Sequence, residues 1–374
     1  MVADVACFAL GPETLNEIRR YSSPIQTSGF GAIADISSKY AAVIGWQGTA
    51  FVASNYHAFI FDANTGQHLW TLTQPVPADN VNFRFESVAV DGDLAVIGAT
   101  YAHVPLPGGG FAYNAGAAFV YDLKTGQLKH KLVSNTPQNN YLLGDDVDVL
   151  ANRIVVGAWN NAYVFDATSG AQLARLTPTS PSDSIGGSVA LSESAIVVGG
   201  NADESQGPFT GAAYAFDAQT FQQISKFIPN DVAPYDNFGL NVAIDGDSAI
   251  ASGRGGVYVF DVTSGNQLAK LELPGGPLTF PSLVDIQGTA AYLSNPASQQ
   301  AAVFDWTTGS TLYQLVRGNA AGSTDYGYAM ATAGNNIIVG AVGRTFQFQI
   351  PEPSGLALLW IGMLLNLRRR VSRA

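Results

Sequence analysis

The chain has 374 residues and a formal net charge of −11, with 13% charged and 47% hydrophobic residues. A disordered chain would be poorer in apolar residues, and a coiled coil would need more Glu, Lys and Leu than this. An acidic chain without a basic stripe is also a poor nucleic-acid binder. Glycine is common, with 40 residues, and this composition favours an all-β protein with many tight turns.

One phrase recurs along the chain: an aromatic residue, Asp, two further residues, Thr or Ser, and Gly. Its first copy is Phe61-Asp62-Ala63-Asn64-Thr65-Gly66, and the copy at Phe216-Asp217 has lost its glycine. The aspartates of the six copies are Asp62, Asp122, Asp166, Asp217, Asp261 and Asp305, with spacings of 60, 44, 51, 44 and 44. A base period near 44 residues with two insertions indicates a repeat architecture.

Each unit is predicted to contain four short strands. They are 238–244, 248–252, 256–260 and 267–271 in the fifth unit, and 87–90, 94–98, 117–121 and 127–132 in the second. Asp-Gly pairs join the first two strands as hairpin turns, and the motif aspartate suits an Asx-type bond to the backbone at the next turn. Four antiparallel strands in about 40–45 residues are typical of a β-propeller blade.

Six full units and a partial seventh predict a seven-bladed ring. The seventh unit has strands at 328–332, 336–341 and 344–349 and then stops. Residues 11–21 resemble the fourth strand of the first unit, so we expect the N-terminus to complete the last blade and remove its open edge. Residues 5–8 compete with 344–349 for the third position, and the pattern does not decide between them.

The units resemble the FG-GAP repeat over roughly residues 12–350. Phe30-Gly31 and Phe238-Gly239 match the opening pair of that repeat, and Gly98-Ala99 matches its later Gly-Ala pair. The resemblance implies a β-propeller. Calcium-binding members of the family carry an Asp-x-Asp-x-Asp-Gly loop that this chain lacks, so the Asp-Gly-Asp triplets are interpreted as turns. We expect neither a metal ion nor a cofactor.

The first unit is also similar to a quinoprotein repeat, because Leu69-Trp70 follows its turn. In that family the Trp recurs and locks the blades together, whereas here only this unit has it. No cluster of Asp, Glu, Asn and Arg indicates a quinone pocket. We therefore expect Trp70 to be an aromatic residue of a blade core.

Residues suited to catalysis or metal binding are scarce. Cys7 is the single cysteine, and the four histidines, His57, His68, His103 and His130, share no metal-ligand spacing. The sequence contains no catalytic motif, so we expect no enzyme. Because catalytic triads assemble in space and not in sequence, a quinoprotein-like or hydrolytic propeller enzyme remains an alternative.

The predicted strand order places the loops between strands 2 and 3, and between strand 4 and the next blade, on one face. Insertions lie there at 46–57, 100–115 and 201–210. Aromatic residues in such loops suit sugar or protein surfaces. The candidate ligand-binding residues are Trp46, Tyr101, His103, Tyr113 and Trp159. The alternative is that these side chains only pack the loops.

The last 24 residues form a separate segment. Pro351-Glu352-Pro353 precedes an apolar run of 13 residues, 355–367, and Arg368-Arg369-Arg370 follows. As a helix the run would be about 20 Å long, which is short for a bilayer core of about 30 Å. The segment carries a net charge of +3 and leaves −14 on the rest. We therefore divide the chain into a propeller domain, 1–350, and a C-terminal segment, 351–374.

This order of elements resembles the PEP-CTERM sorting signal of Gram-negative bacteria, which is also labelled an ice-binding protein C-terminal domain. The resemblance implies that Pro351, Glu352 and Pro353 are recognised by exosortase, a membrane protease, with Arg368, Arg369 and Arg370 on the cytoplasmic side. It further implies export, transient anchoring in the inner membrane through a short transmembrane helix, and release to the cell surface or extracellular matrix.

Residues 1–10 show no basic segment of a signal peptide, so the expectation of export rests on the C-terminal segment. The function expected from these observations is a non-catalytic propeller that binds an extracellular glycan or protein. A purely structural component of the exopolysaccharide layer is the second alternative, beside the enzyme.

Overall fold

The computed structural model describes residues 12–48, 55–73, 84–180, 184–272, 283–317 and 326–351. Within these ranges the chain consists of β-strands, turns and loops, and no helix there has the length and apolar character to cross a bilayer. The C-terminal helix, Glu352, Pro353 and the three arginines fall outside the described residues. Residues 5–8 fall outside them as well.

Seven sheets form the blades of a β-propeller, which confirms the predicted all-β, seven-bladed fold. Two N-terminal strands, β1 (Glu13–Asn16) and β2 (Arg19–Tyr21), precede the first blade. The strands of blades one and two are β3 (Ile33–Ile36), β4 (Tyr40–Trp46), β5 (Tyr56–Asp62), β6 (His68–Thr73), β7 (Ser87–Asp91), β8 (Leu94–Ala99), β11 (Ala117–Asp122) and β12 (Gln127–Leu132), with the short pair β9 (Val104–Pro105) and β10 (Phe111–Ala112) inserted in blade two.

The other five blades follow in chain order with the same antiparallel connection. Blades three to five are β13 (Val147–Leu150), β14 (Arg153–Ala158), β15 (Asn161–Asp166), β16 (Gln172–Leu176), β17 (Ser188–Leu191), β18 (Ala195–Gly200), β19 (Ala212–Asp217), β20 (Gln223–Phe227), β21 (Asn241–Asp245), β22 (Ser248–Gly253), β23 (Gly256–Asp261) and β24 (Gln267–Leu271). Blades six and seven contain β25 (Leu283–Gln287), β26 (Ala290–Asn295), β27 (Gln300–Asp305), β28 (Ser310–Val316), β29 (Tyr326–Ala333), β30 (Asn336–Ala341) and β31 (Arg344–Gln349).

The N-terminal segment closes the ring. Strand β2 pairs antiparallel with β31, with Arg19 opposite Gln347, and is the fourth strand of blade seven. This result confirms closure by the N-terminus and assigns Arg344–Gln349 to the third position. The expectation of one closing strand over 11–21 is wrong in detail, because β1 pairs parallel with β28 and extends blade six to five strands. Leu15 turns towards the interface between these two blades and is buried there.

The second and third strands of each blade are buried along most of their length because neighbouring blades cover both faces. Strand β14 is buried from Ile154 to Ala158, whereas the outer strand β24 alternates between half-buried and exposed residues before the buried Leu271. Phe227 of blade four stacks on Phe260 of blade five with 5.0 Å between ring centroids. Each fully buried side chain of this size contributes about 1.5–3 kcal/mol.

The motif aspartates form the turns before the fourth strands. Asp62 accepts hydrogen bonds from the N–H groups of Asn64 and Thr65, at 2.9 and 2.7 Å, as expected for an Asx-type turn. The carbonyl group of the residue that follows the aspartate then points to the preceding blade and can accept a hydrogen bond from it, as that of Ala63 does from Arg19. Trp70 of blade one donates its indole N–H to Leu123 at 2.8 Å, so it joins blades one and two in addition to packing in the core.

Candidate functional site

The strand order gives the ring two different ends. We call the end with the 2–3 loops and the connections between blades the upper face, and the end with the 1–2 and 3–4 turns the lower face. Six aromatic side chains of the described residues are exposed, and all lie on the upper face. They are Tyr101, Tyr113, Trp159, Phe209, Tyr235 and Tyr328.

The insertion of blade two presents three of the predicted residues. The β9–β10 hairpin carries the loop, and the rings of His103 and Tyr113 meet edge to face with 5.0 Å between centroids. The N–H of Asn114 donates to Nδ1 of His103 at 3.1 Å, which orients the imidazole. Tyr101 lies in the same loop under the guanidinium group of Arg84, 5.4 Å from the ring centroid. Tyr113 is the most exposed of the three, at 55%.

A backbone ladder places Trp159 beside this loop. The N–H of Asn140 donates to the carbonyl of Tyr113, and the N–H of Trp159 donates to the carbonyl of Tyr141, each at 2.8 Å. Residues 140–142 therefore lie between Tyr113 and Trp159 and bond to the backbone of both. The side chain of Trp159 is 63% exposed, so blades two and three offer neighbouring aromatic rings to solvent.

Trp46, in contrast, is not part of this exposed group. It is half-buried, packs against the core cluster of blades one and two, and has its ring centroid 5.6 Å from that of Tyr56. The ring also lies so close to Gly29 that a β-carbon there would not fit. The structure thus brings the rings of His103 and Tyr113 into contact, places Trp159 one chain segment away and Tyr101 on the same loop as Tyr113, and leaves Trp46 with a packing contact.

Two exposed residues of the upper face were not among the predicted ligand-binding residues, although the predicted insertion 201–210 contains the first of them. Phe209 lies in the insertion of blade four, and Tyr235 lies in the connection to blade five, 26 positions later in the chain. Their rings are near-parallel, with 6.1 Å between centroids and an interplanar angle of 22°. The Pro-Tyr pair at 234–235 marks a loop, but nothing in its spacing points to Phe209.

The first strands of the blades line a central channel with a volume of about 330 Å³. Four half-buried aspartates in it each accept a hydrogen bond from an N–H of the next blade. These bonds run from Val90 to Asp35, Val189 to Asp146, Leu191 to Asp148 and Thr332 to Asp285, at 2.7, 2.9, 2.6 and 2.8 Å. They satisfy N–H groups on the free edges of the innermost strands.

Burial shifts the protonation of these carboxyl groups. It raises the pKa of Asp35 and of Asp146 to about 7 and that of Asp285 to about 6. The pKa of Asp148 is also raised well above its usual range by burial and, in second place, by the charge of Asp35. Among the residues that the structure describes, no three His, Cys, Asp or Glu side chains form a group that could hold a metal ion.

Comparison with known proteins supports the repeat assignment. The FG-GAP repeat family matches residues 221–260, which run from the end of blade four through the first three strands of blade five. This range contains the Phe238-Gly239 pair. No curated protein matches the chain. The fold and this match together define an FG-GAP-like seven-bladed β-propeller.

Solved structures agree on the fold. A chain of the crystal structure of a mitotic checkpoint complex has a TM-score of 0.61 at 12% identity, over 94% of this chain and 100% of its own. KlHsv2 with loop 6CD replaced by a Gly-Ser linker has a TM-score of 0.57 at 10% identity, over 88% and 95%. Because 972 chains match, the fold is too widely shared to select a function.

Proposed function

We propose that the protein is an exported, non-catalytic propeller of the bacterial cell surface or matrix, whose upper face binds a glycan or a protein. The observation that carries the proposal is the difference between the two faces. All exposed aromatic rings of the described residues lie on the upper face, whereas the exposed side chains near the 3–4 turns of the lower face are aliphatic: Leu128, Leu173, Ile224, Leu268 and Leu312. Aromatic rings offer large contact areas with few rotatable bonds.

The backbone of the upper face supports the same conclusion. Ten described residues other than glycine have a positive φ. Eight of them lie on the upper face: Asn114, Asn140, Leu142, Asn160, Phe209, Tyr235, Asn237 and Gln299. Asparagine adopts left-handed backbone readily, but for Leu142, Phe209, Tyr235 and Gln299 it is costly, and such strain collects at ligand sites, where the surrounding structure enforces it.

The channel carboxylates support a non-catalytic function. A pair of carboxyl groups with separated pKa values is typical of acid–base catalysis. Here each of the four accepts a main-chain N–H of the neighbouring blade, and this use in holding the ring accounts for their burial.

Adhesion of purified full-length protein to matrix extracted from the producing bacterium tests the binding face. We expect the double variant Tyr113→Ala/Trp159→Ala to bind at least tenfold more weakly, because both rings are exposed and their loops bond to the same segment, 140–141. Leu173→Ala/Leu268→Ala, which shortens equally exposed side chains near the lower face, is the control and should bind normally. Equal binding by both double variants would contradict the proposal.

Truncation after Ile350 tests sorting. Ile350 still pairs with Asn335 through its N–H, whereas Pro351 is exposed. We expect the truncated protein to unfold at the same temperature as the full chain and to be lost from the cell surface. A truncated protein that fails to fold, or that reaches the surface normally, would argue against a sorting segment at 351–374.

A further inference from the structure

Phe209 and Tyr235 form a preorganised pair of rings. They are 45% and 59% exposed, and both have left-handed backbone, with φ of +48° and +69°. The N–H of Tyr235 donates to the carbonyl of Pro208, and the N–H of Asn237 donates to the carbonyl of Phe209, each at 2.9 Å. Two loops from different parts of the chain thus hold the rings beside each other in a strained but hydrogen-bonded arrangement.

A buried carboxylate supports the first of these loops. Asp203 is fully buried, accepts the hydroxyl hydrogen of Tyr214 and the N–H of Ser205, and lies 3.3 Å from Nζ of Lys226. Its carbonyl accepts the N–H of Gly211 at 2.9 Å. Both ends of the segment that carries Phe209 are therefore tied to the blade, and little conformational entropy remains to be lost when a ligand binds.

The polar groups around the rings select the type of ligand. Asn237, two positions after Tyr235, donates its amide N–H to the carbonyl of Asn201 at 3.2 Å, and Asn114, Asn140 and Asn160 lie on blades two and three of the same face. Each amide both donates and accepts hydrogen bonds, as a sugar hydroxyl also does. The apolar C–H face of a sugar ring fits on an aromatic ring. Rings separated by amides suit this chemistry better than one continuous apolar protein interface.

The loops around the rings carry no basic residue of their own. Segments 100–116, 133–146, 201–211 and 228–240 contain no Lys or Arg, and all of their formal charges are carboxylates. Asp231 is paired with Lys270 at 2.8 Å, and Asp236 accepts the N–H of Ala233 at 2.7 Å. Lys226 pairs with Asp203, and the exposed Arg254 donates its backbone N–H to the carbonyl of Asp236 at 2.7 Å. The surroundings of the two rings thus hold four carboxylates, Asp203, Glu204, Asp231 and Asp236, and three cations, Lys226, Arg254 and Lys270. This near balance of charge favours an uncharged polysaccharide over an acidic one.

We infer that Phe209 and Tyr235 form a subsite for a ring of a neutral glycan, which stacks on the aromatic pair while one of its hydroxyl groups bonds to the amide of Asn237. The inference rests on the proposed function, since it names the ligand class of the same upper face. It adds a second aromatic subsite on blade four to the Tyr113–Trp159 group on blades two and three.

Binding of the full chain to immobilised cellulose, dextran, galactan and mannan, with alginate as the anionic comparison, tests the subsite. We expect binding to at least one neutral polymer, a loss of at least tenfold in Phe209→Leu and in Tyr235→Leu, and near-normal binding in Tyr235→Phe. The leucine variants keep apolar side chains and test the ring itself, and their thermal unfolding checks the fold. Normal binding by both leucine variants, or binding to alginate alone, would overturn the inference.

Treatment of the matrix extract separates this inference from the proposed function. If periodate oxidation, which destroys sugar rings, abolishes binding and protease treatment does not, the partner is a glycan as inferred. If protease alone abolishes binding, the upper face binds a protein, so the inference fails and the proposed function stands. If wild-type protein binds neither the extract nor any polymer, both fail.

Discussion

The opening Phe-Gly pair of the repeat shows how single residues set the contact between blades. Phe238 is buried at 1% exposure, and Gly239 follows it with φ of +87°. A β-carbon on Gly239 would strike the carbonyl oxygen of Ala212 in the preceding blade. Gly31 has the same role in blade one, against the carbonyl groups of blade seven. The pair therefore combines a buried anchor with a position where only glycine lets two backbones meet.

Gly239→Ala tests this contact. We expect the free energy of unfolding to fall by about 2 kcal/mol or more, because the substitution adds left-handed strain and a backbone clash. Gly246→Ala is the matched control, since Gly246 also has a positive φ but has open space around it. It should cost only about 1 kcal/mol. Urea unfolding of both variants measures the difference, and equal losses would show that blade contact is not the cause.

Among the elements, the fourth strands share one position that contacts the next blade, although its residue type changes. Trp70, Ser225 and Arg19 each donate to the carbonyl that follows a motif aspartate, at Leu123, Val262 and Ala63. His130 bonds one residue further on, at Thr168. The position and the hydrogen bond to the next blade are retained while the residue type changes. The sequence pattern therefore reveals only Trp70 as a residue that joins blades.

Arg19 is the contact that closes the ring. Its guanidinium group donates to Ala63 of blade one at 2.7 Å and to Gln347 of blade seven at 2.5 Å. We expect Arg19→Ala to lower the free energy of unfolding by roughly 1.5–3 kcal/mol, since charged hydrogen bonds across the junction are lost. Arg20→Ala on the same strand removes only an ion pair with Glu17 and a contact with Phe346, and it should cost less. A larger loss from Arg20→Ala in chemical denaturation would contradict this assignment.

For the whole molecule, the channel aspartates predict a pH dependence of stability. Their folded-state pKa values lie above the usual value of 3.8, so the folded protein binds protons more tightly than the unfolded chain. Stability should therefore fall as pH rises from about 4 to about 7. Burial lowers the pKa of His57, so this one group makes stability rise with pH, but it is outnumbered by the channel aspartates. The turn aspartates, such as Asp62, have lowered pKa values. Below about pH 4 their protonation destabilises the folded protein, so stability falls again as the pH drops further.

Asp146→Asn/Asp148→Asn isolates the channel contribution. The asparagine oxygens still accept the N–H groups of Val189 and Leu191, but they carry no charge. We expect a melting temperature that changes less between pH 5 and 7 than that of the wild type, and a gain in stability at pH 7. The control is Asp245→Asn, whose exposed carboxylate makes the same kind of bond to Gly288 at 2.6 Å. An unchanged pH profile in the double variant would refute the explanation.

The sequence predicted the blades closely. Strands β30 and β31 begin and end where the pattern placed them, and the strand ends of blades two and five differ from the predicted ones by at most three residues. These boundaries follow from local causes: Asp-Gly turns, the Asx turn of the motif and runs of apolar β-branched residues. The upper face was predicted less well, because Phe209 and Tyr235 meet only after the blades are stacked.

The sequence by itself determined the number of blades, their strand order and the closure by the N-terminus, since turn chemistry and a repeat near 44 residues act locally along the chain. Tertiary structure alone decided which aromatic rings are exposed. Trp46 and Trp159 occupy comparable loops, yet one packs against a glycine while the other is 63% exposed. It also decided the acidic channel, because carboxylates distant in sequence line one cavity only when seven first strands converge on the axis of the ring.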